Sequence, residues 1–394
     1  KINIAPPNPE HTTIPLLPRP LTRRQITVAN GAALVGASRI SLAQGEDKII
    51  VGQSAPFTGP AAQLGIQFYQ GAKLHFDRVN AQGGGLRPIE IRNLDDGYEP
   101  ERCAENTRKF IDDDVLALFG YIGTPTSLAA LPLAVKARVP FFAPFTGAMS
   151  LREPFHRNVF HVRASYNDET ALIVKQLTEL GLKKIAVFYQ NDAYGKAGLD
   201  GVTLALAAQN LKPVALATVE RNSVDVAAAV QKLVAAAPDA VVQVSAYKSC
   251  AAFVRAARKA GYGGTFYNVS FVGTQALADE LGKDGAGVVV TQVVPSPYTT
   301  THPLAREFLD AIKKSGGTVQ PNYSSMEGYL AARIFVEGLR NGGGKGSRDG
   351  LINGLESRGN QPLSGFAVSF GPTDHVASNF VALSMLKGDG TVRS

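Results

Sequence analysis

Residues 115–147 read VLALFGYIGTPTSLAALPLAVKARVPFFAPFTG. An apolar run, Val115–Phe119, passes through Gly120-Tyr121 into an amphipathic stretch, Thr126–Lys136, and then into a second apolar run, Phe141–Pro144. Short apolar runs separated by a segment of helical period predict strand, helix, strand. Residues 240–267 repeat this order with Ala240–Val244, then Ser245-Ala246-Tyr247, a helical Ser249–Ala260, and Thr265-Phe266-Tyr267. Two such stretches predict an α/β chain with two similar, doubly wound parallel sheets. In open sheets of this kind a ligand binds outside the carboxyl ends of the strands. Two of these crevices facing one another make an interdomain cleft, a favoured place for a small molecule.

Working outward, Ile49–Ala55 and Ile89–Asn93 read as strands. Phe68–Asn80 reads as a helix closed by Gly83-Gly84-Gly85, and Pro100–Asp112 as a helix with proline at its start. Beyond the first unit, helices are predicted at Asp168–Leu180, Gly198–Gln209 and Ala227–Ala236, and strands at Lys184–Tyr189 and Val214–Val219. After the strand Val288–Val293 come helices at Pro303–Ser315, Met326–Leu339 and Leu351–Leu355, then strands at Gly365–Phe370 and Phe380–Leu386. Pattern alone does not assign this last section to either sheet.

Apolar residues form 45% of the 394-residue chain and charged residues 19%, which argues against disorder and against a coiled coil. The formal charge of +7 is unevenly placed: Lys1, Arg19, Arg23, Arg24 and Arg39 against Glu10 put more than half of it before residue 46. What remains calls for no polyanion, and no basic run interleaved with aromatics points to nucleic acid. Six prolines between Pro6 and Pro20 forbid regular structure. Arg23-Arg24, a modest apolar run from Ile26 to Ala37 and Ser41-Leu42-Ala43 have the layout of an export signal, residues 1–43, of the twin-arginine type. No cysteine follows the expected cut, so a soluble periplasmic protein without a lipid anchor is expected. Cys103 and Cys250 open helical stretches in different halves and are expected as separate thiols.

Catalytic signatures fail one by one. Gly342–Ser347 resembles a phosphate loop, but Lys345 is followed by Gly346 and no strand precedes it. There is no G-x-S-x-G elbow, no HExxH and no Cys-x-x-Cys, and Pro56-Phe57-Thr58-Gly59 stands where a dinucleotide fingerprint would be. Asp95-Asp96 and Asp112-Asp113-Asp114 read as solvated caps. No enzyme, cofactor or metal site is predicted. The chemistry left is small, hydroxyl and aromatic residues just after strands. Gly123-Thr124-Pro125-Thr126-Ser127 opens a helix, where hydroxyls and backbone N–H groups favour an anion such as a ligand carboxylate. Ordinary N-capping by Thr124 or Thr126 would account for the same residues without a ligand. Phe145-Thr146-Gly147 follows the next strand, and Tyr166, Tyr194 and Tyr247 flank helices of the second half.

With Gly52–Gly65, Gly83-Gly84, Asp95-Asp96, Gly120–Ser127, Pro144–Gly147, Asp192–Gly195 and Glu327-Gly328-Tyr329 in this order, the chain resembles the solute-binding proteins of branched-chain amino acid-type ABC importers. The resemblance spans 46–390 and implies the type I periplasmic binding fold, two lobes joined by a three-strand hinge. It implies crossovers near 164, 294 and 359, so that 46–164 and 295–358 form lobe 1 and 165–294 and 359–394 form lobe 2. It further implies a ligand wall at Leu64, a carboxylate held by Thr124 and the Gly147 backbone beside Phe145 and Thr146, and Tyr194 closing from the second lobe. Ala246, Tyr247 and Ser270 would line that rim, with Ser324 near the hinge and Tyr121 and Tyr166 close by. The family's amino-acid binders hold the ammonium with an acid where Ser270 aligns, and often carry an aromatic at Ala246. A hydroxyl does not offset a buried ammonium, so an aromatic or short aliphatic carboxylate is expected, unless Asp192 or Glu327 supplies the charge. The implied partners are a small carboxylate or amino acid and an inner-membrane ABC permease, with the chain acting as a monomer; a ligand sensor feeding a receptor is the alternative.

Overall fold

The computed structural model describes residues 48–83 and 85–394. Its elements, in order, are β1 (Ile49–Ala55), α1 (Ala62–Gln82), β2 (Ile89–Asp95), α2 (Pro100–Asp112), β3 (Ala117–Phe119), α3 (Thr124–Ala137), β4 (Phe141–Phe142) and β5 (Val159–Phe160). There follow α4 (Tyr166–Glu179), β6 (Ile185–Gln190), α5 (Ala193–Ala207), β7 (Ala215–Val219), α6 (Ala227–Ala235), β8 (Ala240–Val244), α7 (Tyr247–Lys259), β9 (Thr265–Asn268), α8 (Thr274–Leu281) and β10 (Val289–Gln292). The chain ends with α9 (Pro303–Lys314), α10 (Tyr323–Asn341), α11 (Arg348–Glu356), β11 (Gly359–Asn360), β12 (Ser369–Phe370), β13 (Ala382–Leu386) and β14 (Val392–Arg393).

The strands build the two expected sheets. The first has the order β2-β1-β3-β4-β5 and is parallel throughout. The second has the order β14-β13-β10-β9-β8-β6-β7, parallel from β7 to β10, with β13 and β14 added antiparallel. β1 is flanked by β2 and β3, and β6 by β7 and β8, so strand order reverses at β1 and at β6. These are the switch points beside which such sheets open their crevices.

α10 lies along α1 over the first sheet. Glycine permits the close approach, since a Cβ at Gly71 would fall 1.7 Å from the Ser325 carbonyl oxygen, and one at Gly328 2.0 Å from that of Phe68. Beneath the pair, Phe335 of α10 packs on Phe76, Phe119 and Phe142, with ring centroids 5.3–6.0 Å apart. The section that pattern could not assign thus covers the first sheet as far as α11, which packs on α10.

The tail behaves differently from expectation. The short edge strand β5 leaves backbone groups to pair, and residues 375–377 take them. His161 N–H donates to the His375 carbonyl and Ala377 N–H to that of His161, both at 2.8 Å, and the His375 ring stacks on Phe160 at 3.8 Å. The chain therefore runs along the first sheet past residue 359 and joins the second only at Ala382. Of the expected strand Gly365–Phe370, Ser369–Phe370 pairs with β11, while Phe366 closes a tight antiparallel bridge with Leu363. The two-residue strands β5 and β14, and α8, had no readable period of their own.

Candidate ligand-binding cleft

The start of α3 is built on Gly123, whose φ of +98° is a conformation few side chains adopt. A Cβ there would also lie 2.2 Å from the Tyr98 ring. No side chain caps α3. The Thr124 and Thr146 hydroxyls bond each other at 2.7 Å, and the Thr126 hydroxyl donates backward to the carbonyls of Ile122 and Gly123. Capping by Thr124 or Thr126 is thus not what these residues do. Ser127 Oγ is buried with no hydrogen-bond partner, and Pro125 stands in the first turn, where no N–H is needed.

Aromatic rings from both sheets meet beside this helix start. Phe271, which follows β9, lies 5.8 Å from Tyr98, 5.8 Å from Phe145 and 4.4 Å from Tyr194. Tyr194 lies 5.5 Å from Tyr166. All five rings are at most 1% exposed. Tyr166 N–H donates to the Gly147 carbonyl at 2.8 Å, and a Cβ on Gly147 would come within 2.6 Å of that nitrogen, so glycine is needed for the approach. Burial pushes the Tyr166 phenol up to about 12 and that of Tyr194 well above its usual value. Both therefore stay protonated donors at neutral pH, and neither hydroxyl has a hydrogen-bond partner.

Most of the predicted residues are brought to this junction, but not all. Leu64 meets Gly273, the residue before α8, where a Cβ would sit 2.4 Å from Leu64 Cδ2. The Tyr247 hydroxyl accepts from Gln63 N–H at 3.5 Å, and Ala246, just before α7, is 6% exposed. Ser324 is buried in the first turn of α10. Tyr121 departs from expectation: its ring packs on Phe141 at 5.1 Å and its hydroxyl accepts from Thr107 of α2, which turns it into the core beside α2.

Tyr98 and Phe271 carry no positional signal of their own in the sequence. Tyr98 is aimed by the Asp95-Asp96-Gly97 turn: its N–H donates to Asp96 Oδ1 at 2.8 Å, and its φ is +65°. Asp96 is then no solvated cap. It is fully buried and accepts from Ser54 Oγ at 2.8 Å. Burial pushes its carboxyl from 3.8 to about 6, against the Ser54 and Tyr98 donors. The folded state holds this proton more tightly than the unfolded chain. Stability present below about pH 4 should therefore be lost as pH rises to about 6, by roughly 3 kcal/mol. Asp96→Asn is expected to flatten this window, seen as a smaller difference in urea unfolding free energy between pH 4.5 and pH 7. An identical difference in variant and wild type would refute the assignment.

The charges were the least legible part. Arg163, which follows β5, is 1% exposed and forks onto Glu327 of α10, with Nε and Nη2 at 2.8 and 2.7 Å from its two oxygens. The guanidinium also lies 3.9 Å from the centre of the Phe145 ring. Burial opposes its charge, but Glu327 outweighs that and raises its pKa. Glu327 is thus engaged, and Asp192 caps α5 through the N–H groups of Tyr194 and Gly195 while accepting from Gln190. Neither stands against Ser270. Glu169 of α4 does: Ser270 N–H and Oγ donate to its two oxygens at 2.7 and 3.0 Å, and the Thr291 hydroxyl donates as well. Burial raises the pKa of Glu169, opposed by Arg163 and these donors.

A polar rim joins the two sets of loops. Glu99 accepts from Arg221 Nη2 and Asn222 Nδ2, both at 2.8 Å; Asn222 also reaches the Gly97 carbonyl, and Gln190 Nε2 the Tyr98 hydroxyl at 3.3 Å. Among the described residues no group of three or more His, Cys, Asp or Glu is placed to hold a metal ion, and no helix is long and apolar enough to cross a membrane. Cys103 and Cys250 are separate, buried thiols.

The sequence profile of a family described as periplasmic binding protein matches residues 48–391. The chain belongs to that family. A solved structure of a possible leucine/isoleucine/valine-binding protein from Rhodopirellula baltica SH 1 superposes with a TM-score of 0.83 at 35% identity, over 88% of this chain and 96% of that one. A substrate-binding periplasmic protein from Ralstonia solanacearum does so with a TM-score of 0.82 at 31% identity, over 88% and 99%. The Leu/Ile/Val-binding protein homolog 7 of Brucella suis biovar 1 (strain 1330) is 26% identical over 342 residues, 81% of this chain and 82% of its own. The protein is a periplasmic binding protein of the branched-chain amino acid-binding type, as its motifs suggested, and the family is one of solute-binding proteins, not enzymes.

Proposed function

We propose that this binding protein closes two lobes over a small carboxylate with an apolar, ring-sized body and delivers it to an ABC permease in the inner membrane. The observation that carries the reading is the meeting of five rings, contributed by both sheets, beside the uncapped start of α3. The Thr124 and Thr146 hydroxyls and the first-turn N–H groups would take the carboxylate. The Tyr166 and Tyr194 phenols would donate from the opposite lobe, and the rings would enclose the body. One lobe comprises 46–164 and 295–358 with the tail segment that follows β5; the other comprises 165–294 and the strands from Ala382. Residues 1–43, outside the described residues, would direct export by the twin-arginine route, and the protein would act as a monomer.

Glu169 favours a second reading. A buried carboxylate held against Ser270 is what an α-amino acid's ammonium requires, so the acid absent at position 270 is available from α4. Titration calorimetry with benzoate, phenylalanine and leucine separates the two, on the wild type and on Glu169→Gln. A plain acid should bind the wild type and survive Glu169→Gln nearly unchanged, while Thr124→Val should weaken it by about 1–3 kcal/mol. Tight leucine or phenylalanine binding that Glu169→Gln weakens by roughly 2–5 kcal/mol would establish the amino-acid reading instead.

A further inference from the structure

About three turns along α1 from Leu64, away from the rings, His75 and Arg78 face Arg333, Glu337 and Arg340 of α10 across a concavity of about 320 Å³. The i, i+3 spacing on α1 and the i, i+4, i+7 spacing on α10 put each set on one helical stripe. Glu307 of α9 pairs with Arg78 at 3.5 Å and with Arg333, and it also accepts from the Tyr329 and Ser364 hydroxyls. Glu337 pairs with Arg358 at 3.4 Å. Arg340 is exposed and forms no ion pair with a described residue. Three guanidinium groups, those of Arg78, Arg333 and Arg358, thus share two carboxylates, and Arg340 adds a fourth positive charge with none.

Two buried groups show that this polar cluster is incomplete. His75 is 7% exposed, its ring packs edge-on against Tyr329 at 5.0 Å, and its Nδ1 has no hydrogen-bond partner. Arg358 is 4% exposed, with Nε and Nη1 likewise unpartnered. Buried polar atoms without a partner carry a cost that a matching partner removes, and a neutral imidazole can place its single N–H on Nδ1. The electrostatics agree. Burial, then repulsion from Arg333, Arg78 and Arg340, pull the His75 pKa down to about 3, and Arg333 is lowered by burial and by repulsion from Arg78, Arg358 and Arg340, with Glu337 opposing.

We propose that the concavity between α1 and α10 is a second binding site, for a small multivalent oxyanion of the phosphate or sulfate type, held by Arg78, Arg333 and Arg340 with His75 donating from its floor. Guanidinium groups fork onto such oxygens, and a neutral imidazole N–H complements them. The site is independent of the ligand proposed for the cleft.

Phosphate, titrated at constant ionic strength into the full chain, is the probe, read through the His75 ring resonances by NMR and through calorimetry. Saturable shifts of His75 are expected, with affinity reduced at least about tenfold in Arg340→Gln and in Arg78→Gln. Arg340 is exposed and unpaired, so its variant should keep the fold, which the Tyr329 and Phe335 signals report. Equal shifts with sodium chloride, no saturation, or unchanged affinity in Arg340→Gln would each overturn the proposal.

Discussion

Glu327→Ala is expected to destabilise the folded protein by about 3–5 kcal/mol, because it strands a guanidinium that has almost no access to water. Arg163 is 1% exposed and Glu327 4%, so neither regains hydration when its partner is removed. The remaining contacts of Arg163 do not replace the carboxylate. The Phe145 face at 3.9 Å offers a quadrupole worth on the order of 2 kcal/mol when desolvated, but no compensating charge, and Nη1 has no partner. Arg152, also buried, adds repulsion, and burial with that repulsion holds its own pKa down to about 10. Urea unfolding checks the size of the loss. The double variant Arg163→Met, Glu327→Ala should recover much of it, since replacing both charges with apolar groups removes the desolvation cost along with the pair. A single variant within 1 kcal/mol of wild type, or a double variant no better than the single, would show that the pair is not the source of the stability.

Phe271→Ala should have its main effect on the balance between closed and open forms. The ring touches Tyr98 and Phe145 from the first sheet and Tyr194 from the second, and it is fully buried where the two sets of loops meet. Truncating a buried phenylalanine costs about 3–5 kcal/mol. In a form with the lobes apart much of that ring would already face water. If about 3 kcal/mol of the loss falls on the closed form, the closed-to-open ratio drops roughly a hundredfold. Small-angle scattering without ligand should show a larger radius of gyration for the variant. Tyrosine emission, unobscured because the chain has no tryptophan, should report exposure of Tyr98 and Tyr194. A scattering curve superimposable on wild type, with unfolding alone affected, would make Phe271 an ordinary core residue.

What was legible in the sequence followed from local physics. Apolar runs alternating with amphipathic stretches decided the parallel sheets, because strand and helix periods are properties of neighbouring residues. The order of the elements placed Thr124, Thr146, Tyr166 and Tyr194 after strands and at helix starts, which is where an open sheet puts its loops. Tyr121 obeyed the same rule of position and still turned into the core beside α2, because position after a strand does not settle which side a ring takes.

The residues that complete the cleft were beyond this kind of reading. Glu169 reaches Ser270 across 101 residues and Arg163 reaches Glu327 across 164. Tyr98 is aimed by an aspartate turn that resembles any surface turn until the fold buries Asp96. Thus the chain by itself determined the two sheets, their helical layers and the hydroxyl-rich start of α3. Only the tertiary structure decided that Ser270 is backed by an acid and that five rings share one junction, because charge pairing and burial depend on distances that the folded chain alone creates.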